Sequence, residues 1–193
     1  MSIMLRAFTA GIAVAALATG CKESASDVPT PPPADLRPVT DSVPYLCDLV
    51  PEQAWRQVTG LTASVNARWV NGPQADNGLC LADAAGLEAP LGIEWTYNDG
   101  ERILGVQQRA WDDRGAHPIP KELGRGLAGV AQTAGGNPRP NFVVALFKCG
   151  KRKTLISIDF APVVRGRDAV QDMVEFMRIA ERRFGVVHGC TPG

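Results

Sequence analysis

The side chains with the widest chemical range in this chain are five cysteines and two histidines: Cys21, Cys47, Cys80, Cys149, Cys190, His117 and His188. None of the cysteines stands in C-x-x-C spacing, and a structural zinc would need four well-placed ligands that these spacings do not offer. No metal and no cofactor is expected. Disulfide formation in an oxidising compartment accounts for Cys47, Cys80, Cys149 and Cys190. Four cysteines allow three pairings. Cys47–Cys80 with Cys149–Cys190 is favoured, because each bond joins an element to a neighbour in sequence order. Cys21 is then left over, and an odd cysteine in an exported chain needs a chemistry of its own.

Covalent catalysis has little to build on. There is no G-x-S-x-G, and Ser64 and Ser157 both fall inside predicted strands. His117, between Ala116 and Pro118, reads as a solvated loop residue, and His188 precedes Gly189-Cys190. Asp112-Asp113 beside Trp111 reads as an acid pair facing water. Gly124-x-Gly126-x-x-Gly129 has dinucleotide-loop spacing, but the segment looks helical, no strand leads into it, and no acid stands about twenty residues on. No catalytic residue is assigned.

The one local charge cluster is Lys148, Lys151, Arg152 and Lys153, within Lys148-Cys149-Gly150-Lys151-Arg152-Lys153. At a hairpin tip it is a candidate grip for an anionic envelope polymer or lipid headgroup. The plainer reading is a charged turn that discourages strand aggregation. Trp55, Trp69, Trp95 and Trp111 could line a sugar or lipid groove; three of them fall on apolar faces, where core packing is the default.

These residues stand in a chain of 193, with 45% hydrophobic and 21% charged content and 20 basic against 20 acidic side chains. That composition excludes a disordered chain, a collagen and a coiled coil, and the zero net charge gives no support to a nucleic-acid binder.

Export is written at the start. Met1–Arg6 carries one positive charge, and Ala7–Ala18 is an apolar run interrupted by Thr9 and Gly11. This is the layout of a secretory signal peptide. The 14 residues from Ala7 to Gly20 fall short of the roughly 20 that span a bilayer. Leu17-Ala18-Thr19-Gly20-Cys21 then resembles a bacterial lipobox, in which the cysteine is lipidated and becomes N-terminal. Cysteine parity favours this outcome, since a lipid thioether at Cys21 leaves four cysteines for two disulfides. Cleavage after Ala16-Leu17-Ala18 would instead release a soluble secreted protein.

Residues 22–44 hold six prolines in 23 positions, against nine in the 149 that follow. Such a stretch buries little and behaves as a solvated spacer. Processing at Cys21 would remove Arg6 and no acid, so net charge supplies no membrane attraction and the acyl chains would do the anchoring. The division is 1–20 signal peptide, 21–42 lipidated cysteine and Pro/Thr-rich linker, and 43–193 a single domain.

Within the domain, Pro51–Val58 reads as a helix with proline in its first turn and Gly60 beyond its end. Alternation predicts strands over 61–69, 79–82 and 91–97. Asn98-Asp99-Gly100 signals a turn, which makes 102–108 a hairpin partner. Leu123, Leu127, Val130, Ala131 and Ala134 recur at helical spacing, against the glycines among them. Strands are expected over 141–148 and 154–160. The last helix carries the stripe Val170, Met173, Val174, Met177, Ala180 and Phe184, capped by Asp168 and ended by Gly185. The expected fold is α+β, an antiparallel sheet of five or six strands with two or three helices packed on one face.

The lipobox, the Pro/Thr spacer and Cys47-Asp48-Leu49-Val50-Pro51 opening a helix of one disulfide-stapled domain together resemble actinobacterial lipoproteins, over about the whole chain. The resemblance implies palmitate-type lipidation at Cys21 and attachment to the extracellular face of the cell membrane, with the membrane a partner through that lipid. It implies no activity. The expectation is a non-catalytic binding or accessory domain with an envelope polymer or protein as partner and no nucleic acid. Its rival is an exported hydrolase whose site no motif reveals.

Overall fold

A computed structural model describes residues 35–70, 76–112, 114–131 and 138–193. The signal peptide, Cys21, the linker before position 35, the Asn71-Gly72-Pro73 turn, Asp113 and Ala134 lie outside the described residues.

A strap over 35–44 leads into a small hairpin of β1 (Tyr45–Leu46) and β2 (Val50–Pro51). Helix α1 (Glu52–Thr59) follows, with Pro51 before it, an acid in its first turn and Gly60 stopping it in the left-handed region at φ 69°. A meander of β3 (Val65–Trp69), β4 (Asn77–Ala84) and β5 (Leu87–Thr96) leads to helix α2 (Gly100–Trp111). Then come β6 (His117–Pro118), a 3-10 turn at Lys121–Leu123, β7 (Arg125–Val130), β8 (Asn141–Cys149), β9 (Arg152–Phe160) and helix α3 (Ala169–His188). Strands β3 to β9 form one antiparallel sheet of seven, in the order β3-β4-β5-β9-β8-β7-β6. Strand β9 lies beside β5, with Ile158 opposite Ile93, and joins the two meanders at the centre. The fold is α+β with an antiparallel sheet.

The sheet has seven strands rather than five or six, and its helices lie on both faces rather than one. Strand β8 shows why. Its run Phe142–Phe147 is apolar at every position, and such a strand needs a layer on each side. Val143, Ala145 and Phe147 join the cluster of α1 and α3, while Phe142, Val144 and Leu146 join Leu104 of α2.

Two segments exchange types. Residues 102–108, expected as a strand, lie in α2. Leu104 is sealed against Leu127, Phe142, Val144, Leu146 and Leu155, and Trp111, two helical turns on, stacks on Phe142 at 4.3 Å. Asn98-Asp99-Gly100 therefore starts a helix instead of reversing a hairpin, with the Ile103 amide donating to the Asp99 carbonyl at 2.9 Å. The expected helix around 123–134 is instead the 3-10 turn followed by β7. Glycines at 124, 126 and 129 each weaken a helix by about 1 kcal/mol. They suit a strand pressed close to its neighbours: a Cβ on Gly129 would lie 2.7 Å from the Phe142 ring.

Smaller differences have local causes. The strand expected over 61–69 starts at Val65, and the one over 79–82 extends to 77–84. Helix α3 runs past Gly185, where a Cβ would lie 2.7 Å from the Cys190 carbonyl oxygen; Gly185 leaves room for the following segment, and Gly189 at φ 65° ends the helix. At the other end the Asp168 side chain accepts the Gln171 amide at 3.1 Å, the cap that spacing suggests.

Trp55 and Trp95 are core residues, and Trp95 meets Phe184 edge-on at 5.3 Å. Composition assigns residues up to 42 to the linker, yet part of that stretch lies against the domain. Arg167 Nη1 donates to the Asp35 and Arg37 carbonyls, and Gln57 Nε2 donates to the Arg37 carbonyl at 3.0 Å.

Two disulfides staple the domain. Cys47–Cys80 ties the β1–β2 turn to β4, and Cys149–Cys190 ties the end of β8 to the residue after Gly189, with Cα atoms 6.0 and 5.3 Å apart. Such bonds persist in oxidising compartments and mark an exported domain. Among the described residues no helix is long and apolar enough to cross a membrane.

Candidate anion-binding site

The basic cluster is the β8–β9 hairpin end. Lys148 stands opposite Lys153 and Cys149 opposite Arg152, and the turn passes through Gly150, at φ 62°, and Lys151. The end is braced three ways. Cys149 is bonded to Cys190, the Gly150 amide donates to the Thr191 carbonyl at 3.1 Å, and Lys148 and Gly193 exchange backbone hydrogen bonds of 3.0 and 2.9 Å. The residues after α3 thus lie alongside the end of β8, and the turn that carries the cations is held in place.

Strand alternation divides the cations between the two faces. On the α3 face the Arg152 guanidinium lies 4.7 Å from the Tyr97 ring centre and 3.4 Å from Asp76. Tyr97, Lys151, Arg152, His188 and the Cys149–Cys190 bond line a shallow hollow of about 430 Å³. His188 stacks on Phe184 at 3.9 Å and meets Trp95 edge-on at 4.7 Å. Loss of hydration holds its pKa below the ordinary histidine value, so near pH 7 it presents a neutral ring. Burial pushes the Tyr97 phenol up, against the pull of Arg152.

On the α2 face Lys148 and Lys153 stand with Arg125 around Glu101. Glu101 receives Lys153 at 2.8 Å and Arg125 at 2.9 Å, and these two hydrogen bonds, Lys153 first, hold its carboxyl below the usual range. Glu101, Arg125, Leu146, Lys148 and Lys153 line a second hollow of about 380 Å³.

All four sequence-predicted cations therefore meet at one end of the sheet, but in different states. Arg152 and Lys153 have acidic partners, while no ion pair engages Lys148 or Lys151 among the described residues. Exposed pairs of this kind contribute only about 0–1 kcal/mol, so an incoming anion can take over either cation. The arrangement suits anion binding beside an aromatic wall.

Tyr97, His188, Glu101 and Arg125 complete the site and escape the motif search. One signal points to His188: it lies two residues before Cys190, and the favoured pairing brings Cys190 to the hairpin. Arg125 arrives from the segment expected as a helix, and Glu101 from the first turn of α2, just before the stretch expected as a strand. Other residues of chemical interest lie elsewhere. His117 is exposed in β6 opposite Ala128, and Asp112 is exposed beyond α2. Among the described residues no three His, Cys, Asp or Glu side chains gather in a way that could hold a metal ion. Comparison of the chain with protein-family models, curated proteins and solved structures returned no match.

Proposed function

We propose that this chain is an exported envelope protein, anchored by lipid on Cys21, whose folded domain is a non-catalytic module that binds an anionic ligand at the β8–β9 end. The observation that carries the reading is the convergence of Lys151, Arg152, Tyr97 and His188 on one hollow walled by a disulfide. The two disulfides support export, and the signal-like start with its lipobox supports the anchor. Cys21→Ser should move the protein from the detergent phase to the aqueous phase, because stable attachment needs more than one acyl chain. Replacing Lys151, Arg152 and Lys153 by Gln should weaken binding to anionic wall polymer at low salt at least tenfold. The fold should remain intact. Equal binding by wild type and variant would remove the anion-binding role.

One observation favours a hydrolase instead. Asp159 on β9 has its carboxyl pushed up to about 6 by burial, with Glu94 adding repulsion, a pattern seen in general acids. Arg139 opposes that shift, and its guanidinium occupies the space above Gly92, the residue paired with Asp159. A carboxyl covered by a guanidinium fits a structural ion pair better than an acid awaiting substrate.

A further inference from the structure

We infer that the ligand of the β8–β9 end is a linear polyanion that crosses the hairpin tip, rather than a single small anion or an anionic bilayer; this rests on the binding role proposed above. The two faces of the hairpin decide it. Lys148 and Lys153 point to the α2 side with Arg125, while Arg152 points to the α3 side with Tyr97, and Lys151 sits on the turn between them. Side chains on opposite faces of a two-stranded ribbon diverge, so one phosphate or carboxylate group cannot reach both sets. A chain of anionic groups can, passing from the 430 Å³ hollow over Gly150-Lys151 to the 380 Å³ hollow. Around this path stand the cations Lys148, Lys151, Arg152, Lys153 and Arg125 against the acids Glu101 and Asp76. On the α2 side three cations face one acid, while on the α3 side Asp76 offsets Arg152 and the excess comes from Lys151, which also lines that hollow.

A bilayer fits less well. The turn residues are Gly150 and Lys151, with no large apolar side chain to enter the acyl boundary as interfacial segments do. The strap also joins the domain at Arg167, just before α3, whereas His188 ends α3 at the hairpin hollow. A 20-residue helix separates the two points by roughly 30 Å. The hairpin therefore opens at the end of the domain opposite the entry of the chain.

The test uses the full exported chain and four probes: orthophosphate, tripolyphosphate, long-chain polyphosphate and phosphatidylglycerol vesicles. Dissociation constants are measured at about 50 and 200 mM salt, the range over which phosphate contacts lose affinity steeply. Affinity should rise at least thirtyfold from orthophosphate to the long chain. The pairs Lys151→Gln with Arg152→Gln, and Lys148→Gln with Arg125→Gln, should each lower polymer affinity by three- to tenfold. Each pair should also flatten the dependence of log K on log salt by about one to two units. Arg68→Gln, on the distant edge strand β3, should leave binding unchanged and serves as the fold control. Orthophosphate binding as tightly as the polymer would overturn the inference, as would loss confined to one face or vesicles outcompeting the polymer, while the anion-binding role itself would stand. No binding of any probe at low salt would overturn that role and the inference with it.

Discussion

Arg167 and Asp172 form a two-pronged ion pair, Nε to Oδ2 at 2.7 Å and Nη2 to Oδ1 at 2.6 Å, with side chains only 4% and 9% exposed. The remaining nitrogen, Nη1, reaches the strap carbonyls of Asp35 and Arg37. One guanidinium thus serves both the first turn of α3 and the entry of the chain into the domain. The hydrogen bond to Asp172, ahead of any other cause, raises the Arg167 pKa, so it stays charged throughout.

Removing one partner of such a buried pair leaves the other charge uncompensated, at about 3–5 kcal/mol. Arg167→Gln should therefore lower urea stability by several kcal/mol and open 35–43 to limited proteolysis. Arg167→Lys should recover only part of the loss, because an ammonium cannot reproduce the planar fork. Cleavage of the strap at the wild-type rate in Arg167→Gln would show that the pair does not hold it.

Glu181 is buried in α3, and its Oε1 has no hydrogen-bond partner. Burial pushes its carboxyl up to about 8, with Arg178 opposing and Glu122 adding repulsion. The folded state keeps a proton that the unfolded chain releases near 4.5, so stability falls as pH rises from about 4.5 to 8 and the loss is complete above that. The loss is on the order of 3–5 kcal/mol. Asp159 acts with the same sign but only up to about 6. Between pH 6.5 and 9, Glu181→Gln should flatten the slope and exceed wild type in stability at the upper end. Urea melts across that range decide it; a wild type of constant stability contradicts the assignment.

The two disulfides should separate in their effects. The bonds close segments separated by 33 and 41 residues, and each constrains the unfolded chain by roughly 4 kcal/mol in the chain-entropy model. Cys47→Ala with Cys80→Ala should cost stability and leave polyanion affinity alone. Cys149→Ala with Cys190→Ala should cost both, because that bond walls the hollow. Binding is compared at low temperature, where both variants are folded. Equal affinity in the two double variants would detach the bond from the site.

His188 gives binding a pH signature. Since loss of hydration lowers its pKa, affinity for a polyphosphate should strengthen on the acid side, at a lower pH than an ordinary histidine would bring it, as the ring gains charge. His188→Phe should keep the stacking on Phe184 and abolish the acid-side gain. A gain of equal size in that variant would place the titrating group elsewhere.

Helix α3 is legible in sequence because its apolar residues recur at helical spacing over several turns, and β8 and β9 because two short apolar-rich runs flank the Cys149–Lys153 turn. The disulfide pairing followed from chain order. The α2 and β7 segments were not legible for opposite reasons. Around Leu104 and Trp111 the few apolar residues fit either period, and only packing on Phe142 selects the helix. Around Leu127 the apolar spacing is helical, but the intervening glycines serve close approach to β8. The four cations of the site could be read directly. Their division between two faces could not, since it depends on the register that sets Lys148 opposite Lys153. His188 and Tyr97 reach the hairpin through the Cys149–Cys190 bond and the β5–β9 pairing, contacts remote in sequence.

The central claim is that the β8–β9 end is where this protein meets its ligand. The most direct measurement is a low-salt titration of the isotope-labelled exported chain with long-chain polyphosphate, following amide and aromatic resonances. The account predicts saturable shifts at Lys148–Lys153, Tyr97, Arg125 and His188, reversed by raising salt, with Asp159 and Arg139 unmoved. Shifts centred on Asp159 and Arg139, with the hairpin silent, would contradict it.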